Sequence, residues 1–161
     1  MSTKERAESA FLLGMYHANK GMFDPAISEY RKAIEMDPNY VEAHYNLGLA
    51  LQQKGLVDDA VAVYKKAIEL RPYLAEAHMN LGNIYGTRGL FKEAIEEHKL
   101  TISIKPDDVK ARFNLALDYF NEKLYELALQ EAKTALYLGA PAQEFIEEVE
   151  AALKRSKGAQ G

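Results

Sequence analysis

Apolar residues in this chain follow a helical rhythm that starts afresh every 34 residues. Between Val41 and Leu74, His44, Leu47, Gly48 and Leu51 stand at i, i+3, i+4 and i+7, the spacing of one helix face. The rhythm breaks at Lys54-Gly55-Leu56, where glycine takes up the left-handed conformation that closes a helix. A second apolar face follows, made by Ala60, Val63, Tyr64, Ala67 and Ile68, with Asp58 or Asp59 expected to cap its start. Arg71-Pro72 ends it, because proline has no N–H to donate and crowds the residue before it. The unit is helix–turn–helix. One unit earlier, Asp24-Pro25 predicts a sharper start still, a capping carboxylate with proline at the first helical position.

The same signals recur in step. Pro38, Pro72 and Pro106 share the period, as do Leu13, Leu47, Leu81 and Leu115, then Gly14, Gly48 and Gly82, then Ala26, Ala60, Ala94 and Ala128. Four copies therefore span 7–40, 41–74, 75–108 and 109–142, after a leader at 1–6 that runs into the first helix. Such a period means stacked copies of a unit that cannot bury its apolar face alone. Gly48 and Ala60 mark where the two helices of a pair cross closely, since a larger side chain at either would push them apart. The fourth copy diverges: Ala116 stands for the glycine, Lys123 for the turn glycine, Ala132 for the aromatic, and proline slips to Pro141 behind Gly139. Residues 143–156 then carry Phe145, Ile146, Val149, Ala152 and Leu153 as one stripe, with Glu144, Glu147, Glu148 and Lys154 opposite. That is the pattern of a capping helix, ended by Ser156-Lys157-Gly158 and followed by a polar tail, 157–161.

These positions resemble the tetratricopeptide repeat (TPR), whose pattern is a large residue, x2-Leu-Gly-x2-Tyr, Ala-x3-Phe, then Pro. The third copy has His78, Leu81, Gly82, Tyr85, Ala94, His98 and Pro106; the second has His44, Leu47, Gly48, Leu51, Ala60, Tyr64 and Pro72; the first has Ala10, Leu13, Gly14, His17, Ala26, Tyr30 and Pro38. The resemblance covers 7–142. It implies an all-α fold, a right-handed α-solenoid of helix–turn–helix TPR repeats with a C-terminal capping helix. It also implies a non-enzymatic protein–protein interaction scaffold or adaptor, binding a peptide segment of a partner in a concave groove.

In such a superhelix one stripe of each first helix faces the groove. The fifth repeat position there carries Phe11, Tyr45, Met79 and Phe113; the ninth carries Met15, Leu49, Asn83 and Leu117; the sixth carries Leu12, Asn46, Asn80 and Asn114. A carboxamide both donates and accepts, so an asparagine ladder can hold a peptide backbone while apolar neighbours read its side chains. The expected groove is thus Phe11, Met15, Tyr45, Asn46, Leu49, Met79, Asn80, Asn83, Phe113, Asn114 and Leu117. Three other readings stand beside it. The asparagines can simply solvate the groove; Phe11 and Phe113 can be covered by neighbouring helices or by a second copy in a self-assembling scaffold; and the repeats can recruit substrate for a larger enzyme such as a glycosyltransferase, whose superhelical repeat domains look similar here. The carboxylate clamp of chaperone-binding relatives is not expected: Phe11, Met15, Asn46, Glu76 and Asn80 occupy its positions in one register and Tyr45, Leu49, Asn80, Lys110 and Asn114 in the next, and Glu76 would repel a carboxylate.

Bulk chemistry narrows the partner class. A net charge of −4 opposes nucleic-acid binding, which needs a basic face. Cysteine is absent, so thiol catalysis and thiolate zinc sites are excluded. No nucleophile–base pair, phosphate-cradling glycine loop or cofactor motif stands out, and no enzyme activity, cofactor or metal is expected. His44, His78, His17 and His98 sit at pattern positions and read as packing histidines. Glu93, Glu96 and Glu97 read as a solvated convex face. No segment has the length of apolar sequence that membrane insertion requires, and a cytoplasmic location is expected.

Overall fold

The computed structural model of the protein describes residues 2–158. Within them are nine helices and no strand, arranged in two compact units that divide after Ala77. The first unit holds α1 (Thr3–Asn19), α2 (Phe23–Met36), α3 (Val41–Gln53), α4 (Val57–Leu70) and the opening of α5 (Ala75–Thr87). The second holds the rest of α5, α6 (Phe91–Ile104), α7 (Val109–Asn121), α8 (Tyr125–Tyr137) and α9 (Gln143–Gly158).

Each pair is joined by one kind of turn. Gly21, with φ 72°, follows α1; its N–H donates to the Ala18 carbonyl, and the next N–H, from Met22, donates to the His17 carbonyl. That is a Schellman closure. Leu56, Leu90 and Leu124 repeat the Met22 bond, onto Leu51, Tyr85 and Tyr119. These four residues also serve as the N-caps of α2, α4, α6 and α8, with no side-chain cap bond. This corrects the expected caps: Asp24, Asp58 and Asp59 lie inside the first turns, and Pro25 sits at the third helical position. The reason is economy of chain, since the residue that closes one helix already opens the next. The carboxylates still face the positive end of the helix dipole.

The helix crossings are set by a ring lying on a glycine. A Cβ added at Gly14 would stand 2.6 Å from the Tyr30 ring, one at Gly48 would meet the Tyr64 ring, and one at Gly82 would stand 2.6 Å from the His98 ring. Ala26, Ala60 and Ala94 are completely buried beside these contacts. In the fourth pair the ring is lost and the gap is closed from both sides. Ala116 and Ala132 are both fully buried and join Ala135, Ala140, Ala142 and Ile146 in one cluster. Arg112 adds a cross-tie from α7, donating to Glu131 on α8 at 2.8 Å and to the Pro106 carbonyl at 2.8 Å.

The two ends differ from the expected boundaries. Most of the leader is helix, since α1 begins at Thr3 under a capping box in which Glu5 N–H donates to Ser2 Oγ and Ser2 N–H donates to Glu5 Oε2. At the other end α9 buries Ile146, Val149 and Ala152 as its stripe predicts, but it continues through Lys157 and Gly158. Lys157 pairs with Glu126 of α8 at 3.1 Å, so it belongs to the cap rather than the tail. The remaining tail, 159–161, lies outside the described residues.

Candidate functional site

Two clefts recur at matching positions, one in each unit. The first is lined from α1, α3 and the start of α2, including Met15, Phe23, Tyr30, Asn46, Leu49 and Ala50. The second is lined from α5, α7 and α6, including Asn83, Phe91, His98, Asn114, Leu117 and Asp118. Each of the first set stands two periods upstream of its counterpart in the second. Their volumes are about 170 and 410 Å³. A cleft that returns with the repeat is a property of the repeat, not of one irregular side chain.

The sequence-predicted residues separate by register. The ninth position lines the clefts through Met15, Leu49, Asn83 and Leu117, and the sixth through Asn46 and Asn114. The fifth position is taken by packing. Phe11 is half-buried, its ring centroid 5.8 Å from Tyr30 and 4.9 Å from Tyr40, above Ala10, Ala33 and Ala43. Tyr45 lies tilted on Tyr64 at 5.9 Å, and Phe113 meets Phe145 of the capping helix edge-on at 5.6 Å. Met79 is half-buried with its sulfur 3.9 Å from the Asn114 amide, and Asn80 is half-buried on α5.

Nor do the asparagines stand free as a uniform ladder. Asn46 donates its amino group to the Glu42 carbonyl of its own helix. Asn114 donates across helices to Asn83 Oδ1 at 2.7 Å, tying α7 to α5. The same Asn83 oxygen lies 3.2 Å from His98 Nε2, and His98 Nδ1 lies 2.7 Å from Asp118 Oδ2. Carboxylate and amide thus hold the two nitrogens of one buried ring, His98 being 1% and Asp118 4% exposed. An unpaired polar group at that depth would cost about 1–3 kcal/mol, which the network offsets.

His98 therefore keeps the packing role expected of it and gains a polar one that the periodic pattern does not announce. Asp118 escaped the sequence reading altogether. Its signal was a pair of departures: His98 stands where Tyr30 and Tyr64 stand, and Asp118 where Ala50 and Ile84 stand. Two of the other histidines are fixed by simpler means. His44 Nε2 lies 2.9 Å from the Pro38 carbonyl, while His78 Nδ1 meets Glu97 Oε2 at 2.6 Å. Glu97 so leaves the solvated face expected of it, whereas Glu93 and Glu96 remain exposed. Among the described residues no group of three or more His, Cys, Asp or Glu is placed to hold a metal ion. None of the described helices is long and apolar enough to cross a membrane.

Paired helices with glycine-seated rings and Schellman turns define the class of a helical repeat scaffold, and comparison with known proteins gives the family. The TPR repeat profile matches residues 17–55 and 53–89, and the tetratricopeptide repeat profile matches 75–108. A crystal structure of MamA is 31% identical, with 82% of this chain covered, 77% of that chain covered and a TM-score of 0.78. A second MamA crystal structure is also 31% identical, covering 82% of this chain and 72% of that one at TM-score 0.77. A structure of MamA from residue 41 to its end, from Desulfovibrio magneticus RS-1, shares the fold at 20% identity and TM-score 0.87, over 99% of this chain and 92% of that one. No curated protein matches. The chain belongs to the tetratricopeptide repeat family, an all-α repeat fold of the protein-interaction class.

Proposed function

We propose that this protein is a non-enzymatic scaffold that binds a segment of a partner protein through the recurring clefts. The observation that carries this reading is the recurrence itself. Sixth- and ninth-position side chains line a cleft in each unit while the fifth position is committed to packing. Met15 is exposed and Leu49 is only half-buried, so neither is needed to fill a core. The first cleft, with Met15, Phe23 and Leu49, suits an aliphatic or aromatic side chain, and the second, with Asn83, Asn114 and Asp118, suits one that also hydrogen-bonds. A segment in extended or helical form presents such side chains in register.

The test is selection from a random peptide library, followed by mapping of the bound peptide by NMR on the whole chain. Selected peptides should perturb Met15, Leu49, Asn83 and Leu117. Met15→Glu should weaken them at least about tenfold without lowering Tm, since exposed substitutions usually cost under 0.5 kcal/mol. Peptides that instead perturb the exposed faces of α2, α4, α6 and α8 would remove the cleft reading.

A second reading, self-association, has its own observation. Leu13 of α1 is 44% exposed, whereas its counterparts Leu47 and Leu115 are 4% and 2% exposed. Leu12 and Tyr16 are bare beside it at 56% and 57%. An exposed apolar face of this kind suits another protein surface.

A further inference from the structure

The second cleft has more hydrogen-bond acceptors than its own network uses. Asp118 Oδ2 is taken by His98, which leaves Oδ1 as an acceptor on a residue that is only 4% exposed. It lies beside Gly86, where an added Cβ would stand 3.2 Å from it. Asn121 donates its amino group to the Leu117 carbonyl, which leaves its oxygen as an acceptor. Asn83 and Asn114 bond to each other, and whichever way the two amides are turned they offer one further oxygen and one further amino group. The cleft therefore sets three acceptor oxygens, one of them a buried carboxylate's, beside the further amino group of the Asn83–Asn114 pair and the second N–H of Asn121. Phe91 and Leu117 supply apolar wall beside them. At the places of Asn83, His98 and Asp118 the first cleft has Met15, Tyr30 and Ala50, and no carboxylate lines it.

We propose that the cleft between α5 and α7 takes the guanidinium group of an arginine side chain carried by a bound protein segment, an inference that rests on the cleft reading above. A guanidinium offers five N–H donors in one plane and no acceptor, so it can engage the carboxylate and amide oxygens of this lining together. The carboxylate oxygen supplies charge, the amide oxygens supply the remaining acceptors, and the Phe91 ring offers a face for the planar cation. An ammonium would engage fewer of these oxygens and gives up its hydration more reluctantly. A carboxylate or phosphate would meet the like charge of Asp118.

The probe is N-acetyl-arginine N-methylamide, titrated into the 15N-labelled chain beside its lysine and glutamine counterparts. The arginine probe should move the Gly86 amide and the side-chain amides of Asn83, Asn114 and Asn121, binding at least about fivefold more tightly than the lysine probe. Asp118→Asn should weaken it about tenfold, because the charged acceptor is lost. Asn121→Ala gives the same direction without touching the buried pair, and decides the matter should Asp118→Asn not fold; Gly86→Ala, whose Cβ would crowd Asp118 Oδ1, gives the same direction. Equal binding of all three probes, shifts outside the cleft, or indifference to Asn121→Ala and Gly86→Ala would overturn the proposal. Library peptides that occupy the clefts with no arginine enrichment would overturn it while leaving the cleft reading intact. If no peptide enters either cleft, both readings fail together.

Discussion

At Tyr30 the phenol ring lies against the backbone of Gly14 and is only 1% exposed, and that burial raises its pKa above the ordinary tyrosine value. A raised folded value means that the neutral form is favoured in the folded state. The stabilisation is then complete below the unfolded tyrosine value, about 10, and is lost as pH rises through the folded one. Tyr40 and Tyr119 shift the same way, chiefly through burial, with Glu8, Glu42 and Asp37 adding to the effect at Tyr40. Urea midpoints measured across the alkaline range should therefore fall above about pH 10, and Tyr30→Phe should make that fall shallower. Parallel curves for the two proteins would mean that Tyr30 ionises without penalty. The glycine that seats such a ring was legible from its period. That His98 would take the same seat and bind Asp118 was not, because the periodic pattern says nothing about which polar groups meet across helices.

Among elements, the turn between α7 and α8 is the strained one. Lys123 holds φ at 61°, the left-handed region in which the equivalent turns place glycine. It still supports the bond from Leu124 N–H to the Tyr119 carbonyl at 2.8 Å, so the turn geometry outlasts the residue that suits it. A side chain there costs about 1 kcal/mol relative to glycine. Lys123→Gly should raise stability by up to that amount and Tm by roughly 2–4 °C for a chain of this size. Calorimetry showing no gain would place the compensation in the unfolded chain, where glycine is the more flexible residue. Helix starts show the opposite lesson. Asp24 and Asp58 look like caps in sequence, yet the closing turn of the previous helix has already supplied the cap residue, and only three-dimensional turn geometry reveals that sharing.

For the whole molecule the open face of α1 is the feature with an immediate consequence. Leu13, Leu12 and Tyr16 are left exposed on α1, while Phe145 and Ile146 of α9 pack against the apolar cluster of α7 and α8. If that face mediates self-association, sedimentation will show mass that grows with concentration, and Leu13→Glu with Tyr16→Ser will abolish the growth without lowering Tm. An unchanged concentration dependence in this variant would assign any association to another surface. Single-species behaviour of the wild type would remove the second reading.

The repeat period, the helix pairs, the crossing glycines and the apolar stripe of the cap were all determined by the sequence alone. Each is a local or periodic property: a face is defined by 3.6-residue spacing, a turn by glycine, an ending by proline. The lining of the clefts needed the tertiary structure. Phe11, Tyr45 and Phe113 share a repeat position with Met79, but ring contacts reached from other helices decided that they pack rather than line a cleft. The joining of Asn83, His98, Asn114 and Asp118 was decided in the same way. These residues come from three helices, and hydrogen bonding depends on angstrom-scale distances that a one-dimensional pattern does not contain.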